Sequence, residues 1–274
     1  MQTCANDKQA PGGVYLCQID DKLSCGACCG LYNVSQLSRP SLKAMLMLRR
    51  KLFARASRTV DGILEFKRRI ESNENQNRPY PAFHHCPYIG LIGEPNTRVG
   101  CLLHPLAEGN KGIDYRGLSY YGGMACRDYF CPTHKGLKGE YKRVLRHLFE
   151  DWYEYGLIIT EVSLLTTIFQ EIERRLGHPL TLKLILDHPP LAHSTQKLCR
   201  LKLNWPFRDP QQPTIANYFF EEKLYDKPPV RLPTHVALFK QMLFRQLWSC
   251  FDNRKCLRRA EDLIDDLLSP FNGR

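Results

Sequence analysis

Long apolar runs are absent from this chain of 274 residues. No stretch approaches the ~18 uncharged apolar residues that a membrane helix needs, so a membrane partner is not expected. The opening residues hold Asp7, Lys8, Gln9, Gln18 and Asp20 without a continuous apolar run. A secretory leader is therefore not expected, and the cytoplasm is the default compartment. Internal repeats and low-complexity tracts are missing too, which argues against a solenoid or a tail-like chain. No glycine-rich GxGxxG loop follows a strand, and no serine–histidine–acid set is legible, so the common nucleotide and acyl-transfer signatures are lacking.

What is present is cysteine. The chain has 12, against an otherwise ordinary 43% hydrophobic and 24% charged residues, enough for one large domain or two smaller ones. In a reducing compartment clustered cysteines bind metal or carry redox chemistry more often than they form disulfides. Nine precede residue 135: Cys4, Cys17, Cys25, Cys28, Cys29, Cys86, Cys101, Cys126 and Cys131. Cys199, Cys250 and Cys256 follow, the last two read as packing residues.

The densest group is Ser24-Cys25-Gly26-Ala27-Cys28-Cys29-Gly30. Cys25 and Cys28 form a CxxC pair, half of a tetrahedral thiolate site, and the glycines permit the tight backbone that lets thiols converge. Neighbouring side chains diverge, so Cys28 and Cys29 do not easily aim both sulfurs at one ion. Either one of them is structural or each serves a different metal. The candidate ligands are Cys25, Cys28, Cys29, Cys86, Cys101, Cys126 and Cys131, too many for one simple zinc or iron–sulfur site. Cys17 is a spare ligand or a small buried side chain. His84, His85, His104 and His134 lie beside the cysteines, and Cys131-Pro132-Thr133-His134 has CxxH spacing.

Apolar residues at three- and four-residue steps predict one helix over 42–70, with a break at Gly62. Arg49, Arg50, Lys51, Arg55, Arg58, Lys67, Arg68 and Arg69 crowd its other face, read as solvated surface. Residues 71–81 read as a polar linker. Glu94-Pro95-Asn96-Thr97 between Leu91-Ile92-Gly93 and Arg98–Leu103 predicts a β-hairpin with Cys86 and Cys101 at its ends. Residues 105–125 read as a long Gly/Tyr loop. Helices are expected over 141–155, 157–176 (stopped by Gly177), 235–251 and 255–268, with a proline-marked loop over 187–213. The expected fold is mainly α, α+β in class, with a small irregular cysteine-rich metal-nucleated region containing a hairpin. Residues 1–135 form that region, with 42–70 as a basic helical insert. Residues 136–274 form a helical region, in the same compact domain or apart from it.

CGACC (25–29), CPYIG (86–90), VGCLLHP (99–105) and CRDYFC (126–131) together resemble the YkgJ-type cysteine-cluster family, described as a zinc- or iron-chelating domain. The resemblance spans residues 22–135 and implies Cys25, Cys28, Cys29, Cys86, Cys101 and Cys126 as ligands, with Cys131 as a further one. Lys22 stands where members often carry another cysteine, a place Cys17 can take, and the Leu103–Cys126 connection is longer than the family's. Residues 136–274 carry no resemblance. Flagellin lysine N-methylases are similar in their cysteine cluster, which implies an iron–sulfur, S-adenosylmethionine-linked methyl transfer to protein, although no CxxxCxxC arrangement is present.

Lys+Arg minus Asp+Glu gives 39 − 28 = +11, a balance that suits an acidic protein or nucleic-acid partner. Metal-bound thiolates would cancel part of it. The first expectation is thus a protein holding zinc or an iron–sulfur cluster through its cysteines, in a structural or metal/redox role. An iron–sulfur-dependent enzyme and a zinc-stabilised nucleic-acid-binding protein are the alternatives.

Overall fold

Side chains that satisfy free amides set the helix starts. Ser38 accepts from Ser41 N at the head of α1 (Arg39–Arg55), and Thr59 accepts from Gly62 N at the head of α2 (Val60–Asn73). The single helix expected over 42–70 is therefore two, and the break lies at 56–59 rather than at Gly62. Arg58 explains the position: its Nη1 donates to Phe53 O and Ala56 O, both at 2.7 Å, capping the end of α1.

In the computed structural model, which describes residues 6–94, 97–212, 230, 232–233 and 236–272, the chain is mainly α with one two-stranded sheet. Cys4, Pro95, Asn96 and His235 lie outside the described residues. The hairpin pairs β1 (Ile89–Ile92) with β2 (Arg98–Cys101) in antiparallel register, Ile89 opposite Cys101 and Ile92 opposite Arg98. α1 lies against β1.

The stretch over 105–125 is more regular than a loop. Buried Asn110 donates through Nδ2 to Leu102 O and His104 O, both at 2.8 Å, and folds the turns after β2 into place. A short helix α3 (Gly122–Asp128) then carries Cys126, helped by the helix-forming Met124, Ala125 and Arg127.

α4 (Thr133–Gly136) and α5 (Gly139–Leu148) follow. Asp151 accepts from Tyr153 N and Glu154 N and starts α6 (Trp152–Ile158), so the helix expected over 141–155 is cut in two. α7 (Val162–Leu176) ends, as expected, at Gly177 with φ +74°. The region read as a loop from 187 onward is helical: α8 (Leu182–Asp187) leads into α9 (Pro189–Asn204). Pro189 and Pro190 occupy the first turn of α9, where a missing N–H costs no intrahelical bond. α10 (Leu238–Gln246) is shorter than expected, and α11 (Arg254–Leu268) begins at the cap Asn253.

Three apolar cores result. The largest joins Val14, Leu16 and Leu23 to residues of α5 through α11. A second gathers Ala27, Leu31 and Tyr32 with α1, the hairpin, Trp152 and Leu157. The third packs Phe53, Ile63, Phe66 and Ile70 against Cys86, Tyr88, Leu102 and Leu103.

Gly156 marks the closest approach between the cysteine loop and the helices. Tyr32 Oη donates to Trp152 O at 2.7 Å, and a Cβ on Gly156 would overlap that hydroxyl. Glycine to alanine in an open helix stabilises by ~1 kcal/mol. Gly156→Ala is expected instead to destabilise by ~1–3 kcal/mol through overpacking, read as a lower urea midpoint. An unchanged or raised midpoint would remove this contact from the fold.

Candidate metal centre

The first cysteine turn is built around its glycines and its sulfurs. Residues Ala27–Cys29 form one 3-10 turn, and Ala27 N donates to Cys25 Sγ at 3.5 Å. Gly30 follows with φ +75°, and a Cβ there would run into His84 O and His85 Cα. Only glycine permits this backbone and this proximity together. The turn is thereby docked on the second cysteine segment: Cys86 N donates to Cys29 O at 2.9 Å, and His85 Nδ1 donates to Gly30 O at 2.8 Å.

The remaining cysteines arrive by three routes. An antiparallel bridge pairs Gln18 with Ser24, and Cys25 N donates to Cys17 O at 2.8 Å, which sets Cys17 beside Cys25. The hairpin carries Cys101 opposite Ile89, three residues after Cys86. On α3, Cys126 Sγ lies 3.1 Å from Ser119 Oγ. Cys131 Sγ lies 3.6 Å from His134 Nδ1, and His134 Nε2 accepts from Leu16 N at 3.3 Å. Since Nε2 accepts, the imidazole proton sits on Nδ1 and points to sulfur.

All eleven described cysteines are free thiols. Burial raises Cys17, Cys25, Cys86, Cys101 and Cys131, with Cys86 at about 11 and Cys101 at about 12. Neighbouring sulfurs add to the rise: Cys28, Cys131 and Cys25 act on Cys17, and Cys86 and Cys126 act on Cys101. Cys29 is raised first by its hydrogen bond to Cys28, which is lowered by the same bond. Against burial, one repeated device pulls down. At Cys25 the Ala27 amide donates to sulfur at 3.5 Å, and the amides of Tyr88 and Leu103 and the side chain and amide of Thr133 lower Cys86, Cys101 and Cys131.

Of the seven cysteines expected from sequence, all lie in this region, and Cys17 joins them as a full neighbour. The signal for Cys17 was the Asp20–Asp21 turn: Asp20 Oδ1 accepts from Lys22 N and Leu23 N, both at 2.8 Å, folding Cys17 back to Cys25. The histidines divide differently. His85 spends both nitrogens, on Gly30 O and on Arg49, and His134 spends both on Leu16 and Cys131, so neither is free to ligate. His104 Nδ1 accepts from Leu106 N at 3.1 Å, and His84 stacks on Tyr120 at 4.3 Å. Among the described residues, no three His, Cys, Asp or Glu side chains stand in a metal-holding arrangement. Cys250 is exposed rather than packed, because its backbone N–H to Phe207 O, at 2.9 Å, is the anchor.

Two buried cations stand behind the sulfurs, and neither was legible as such. Arg49, counted among the surface cations, has a side chain 0% exposed. It pairs with both oxygens of Glu74 and donates to Cys86 O at 2.9 Å and Ile89 O at 3.3 Å. Lys142, on α5, is also buried and donates to Gly12 O at 3.0 Å and His134 O at 2.7 Å.

Arg49→Met leaves Glu74 and two carbonyls without their donor inside the fold, and a loss of ~3–5 kcal/mol is expected in urea unfolding. Arg50, one residue on, pairs with the exposed Glu108 and Glu94, and Arg50→Met is expected to cost less than ~1 kcal/mol. Equal midpoints for the two variants would overturn this assignment.

Comparison of the chain with family models, with curated proteins and with solved structures finds no match.

Proposed function

We propose that this chain is a metal-binding protein whose clustered thiolates hold zinc or an iron–sulfur cluster. One observation carries the proposal: backbone hydrogen bonds join the cysteine segments, Cys25 N to Cys17 O and Cys86 N to Cys29 O, and the Ala27 amide is aimed at Cys25 Sγ within surroundings buried from water. An amide aimed at sulfur favours the charged, ligating form, and a bound cation would complete the compensation. Eight cysteines against His84 and His104, once His85 and His134 are set aside, make a sulfur-rich donor set, which suits soft metals. The resemblance to the YkgJ-type family supports the same reading.

Cys25, Cys28, Cys29, Cys86, Cys101, Cys126 and Cys131 would hold the metal, with Cys17 beside them. A zinc ion would supply a structural crosslink, and an iron–sulfur cluster would supply electron transfer. The protein's own part is to orient the sulfurs. His134 Nδ1 and Ser119 Oγ lie at Cys131 and Cys126, and Arg49 and Arg116 lower Cys86 and Cys101. The nucleic-acid alternative draws less support. Arg49 is interior, and Arg50, Lys67 and Arg68 are paired with Glu108, Glu71 and Glu65.

Elemental analysis and a visible spectrum of oxygen-free protein test the proposal. Iron with sulfide and broad visible absorption identifies a cluster; a colourless protein with zinc identifies a zinc site. Protein without bound metal overturns the proposal. Cys25→Ser and Cys86→Ser are expected to lose metal and thermal stability together, since metal-binding free energy is folding free energy. Exposed Cys250→Ser is expected to change neither.

A further inference from the structure

We propose that a second copy of this chain docks on the outward row of α11, antiparallel to its own, with Lys255 facing Asp266 and Arg259 facing Asp262 across the contact. The inference stands apart from the metal-binding reading and uses none of the cysteines proposed as ligands.

One side of α11 is anchored. Leu257, Ala260, Ile264 and Leu268, at steps of three, four and four, are buried in the large helical core. The other side carries Lys255, Arg259, Asp262 and Asp266, at steps of four, three and four, and all of them are exposed. At 3.6 residues per turn these steps keep side chains on one seam, the spacing by which paired helices meet.

The charges of this row are set against their own helix. Cations stand at its start and carboxylates near its end, whereas the macrodipole favours the opposite order. Arg254 and Arg258 add to the excess at the start, the first turn holds no acid and the last turn no base. Lys255 and Arg259 are like charges four residues apart, as are Asp262 and Asp266, and such pairs weaken a helix. Elsewhere the chain does the reverse and pairs opposite charges within a helix: Lys67 with Glu71, Arg68 with Glu65, Arg143 with Glu140 and Arg174 with Glu171.

Among the described residues nothing offsets this arrangement. Glu261 and Asp265 of α11 pair with Lys240 of α10, and Asp265 also with Arg175 of α7. Arg254, Lys255, Arg258, Arg259, Asp262 and Asp266 form no ion pair there.

A second copy supplies what is missing. Read from its start, the row runs plus, plus, minus, minus, and an antiparallel copy presents minus, minus, plus, plus. The midpoint of 255 and 266 is also the midpoint of 259 and 262, so one two-fold axis relates both pairs to their mates. A parallel copy would oppose like with like. The antiparallel one also sets the cationic start of each helix beside the negative end of the other. A polyanion is a poorer match, because Asp262 and Asp266 repel it. A single helix row falls short of the ~1,200 Å² of stable interfaces, so the dimer is weak and sensitive to salt.

Sedimentation equilibrium of the full chain, over a concentration series at low and high salt, tests the proposal. A monomer–dimer equilibrium that dissolves in high salt is expected. Lys255→Glu/Arg259→Glu makes the row all acidic, and Asp262→Lys/Asp266→Lys makes it all basic. Each double variant is expected to weaken self-association by about tenfold or more. Mixed in equal amounts, the two are expected to form a heterodimer. Exchange of all four charges in one chain, Lys255→Asp/Arg259→Asp/Asp262→Lys/Asp266→Arg, is expected to restore self-association. A wild-type chain that is monomeric at every concentration in low salt overturns the inference. So does a dimer that both double variants retain, or double variants that do not pair when mixed. Oligonucleotide binding by a wild-type chain that stays monomeric assigns the row to nucleic acid and overturns it equally.

Discussion

The docking of Gly30 on the His84–Cys86 segment is the contact on which the cysteine region depends. Its positive φ, its lack of a Cβ and the two hydrogen bonds beside it bring two chain segments more than fifty residues apart into register. Everything that follows is placed from there. Cys86 fixes the start of the hairpin, the hairpin returns Cys101, and the turns held by Asn110 deliver α3 and Cys126. A bulkier residue at 30 would push apart the segments that carry Cys29 and Cys86.

Charge is managed from inside as well as at the surface. Clustered thiols in a buried setting repel the loss of their protons, and the chain answers with amides, a histidine N–H and buried cations. Arg49 is held by Glu74, and Lys142 is held by carbonyls. A four-thiolate zinc site would carry a net charge of about −2, which such cations would offset at close range. Part of the formal +11 therefore belongs to the interior, and only the rest faces solvent. A separate buried pair, Lys202 with Glu161, shows that the helical body handles ions differently, by direct pairing.

The class of fold was legible in the sequence, because apolar periodicity and cap residues report local structure. The hairpin and α11 emerge close to their expected bounds. Boundaries set by long-range or side-chain hydrogen bonds were not. Arg58 ends α1, Asp151 starts α6, and the prolines at 189 and 190 open a helix that composition suggested was a loop. At the site, the cysteines announce themselves by spacing, but their grouping does not. Cys17 looked spare because eight residues separate it from Cys25, and only the Asp20 turn closes that gap. Arg49 looked like surface because helix periodicity cannot tell a paired interior cation from a solvated one.

The regular structure around the cysteines is slight: two four-residue strands, a three-residue 3-10 turn and the seven residues of α3. A lone two-stranded hairpin is marginal in water and needs something to pack on. Here α1 and α2 supply one face, and the helices from α5 onward hold the other end through Leu16 and Tyr32. The thiols lie between these bodies, most of them on turns, with Cys101 at the end of β2 and Cys126 on the short α3. Crosslinks at that place restrain what packing alone holds loosely, because each ligand removed from the unfolded ensemble is chain freedom already lost. On the proposed reading, metal is the joint between the cysteine region and the helical body, and its worth to the fold grows with the span of chain between ligands. Cys25 and Cys131 enclose most of the cysteine region, and a metal that held both would add the greatest restraint of any pair among the seven.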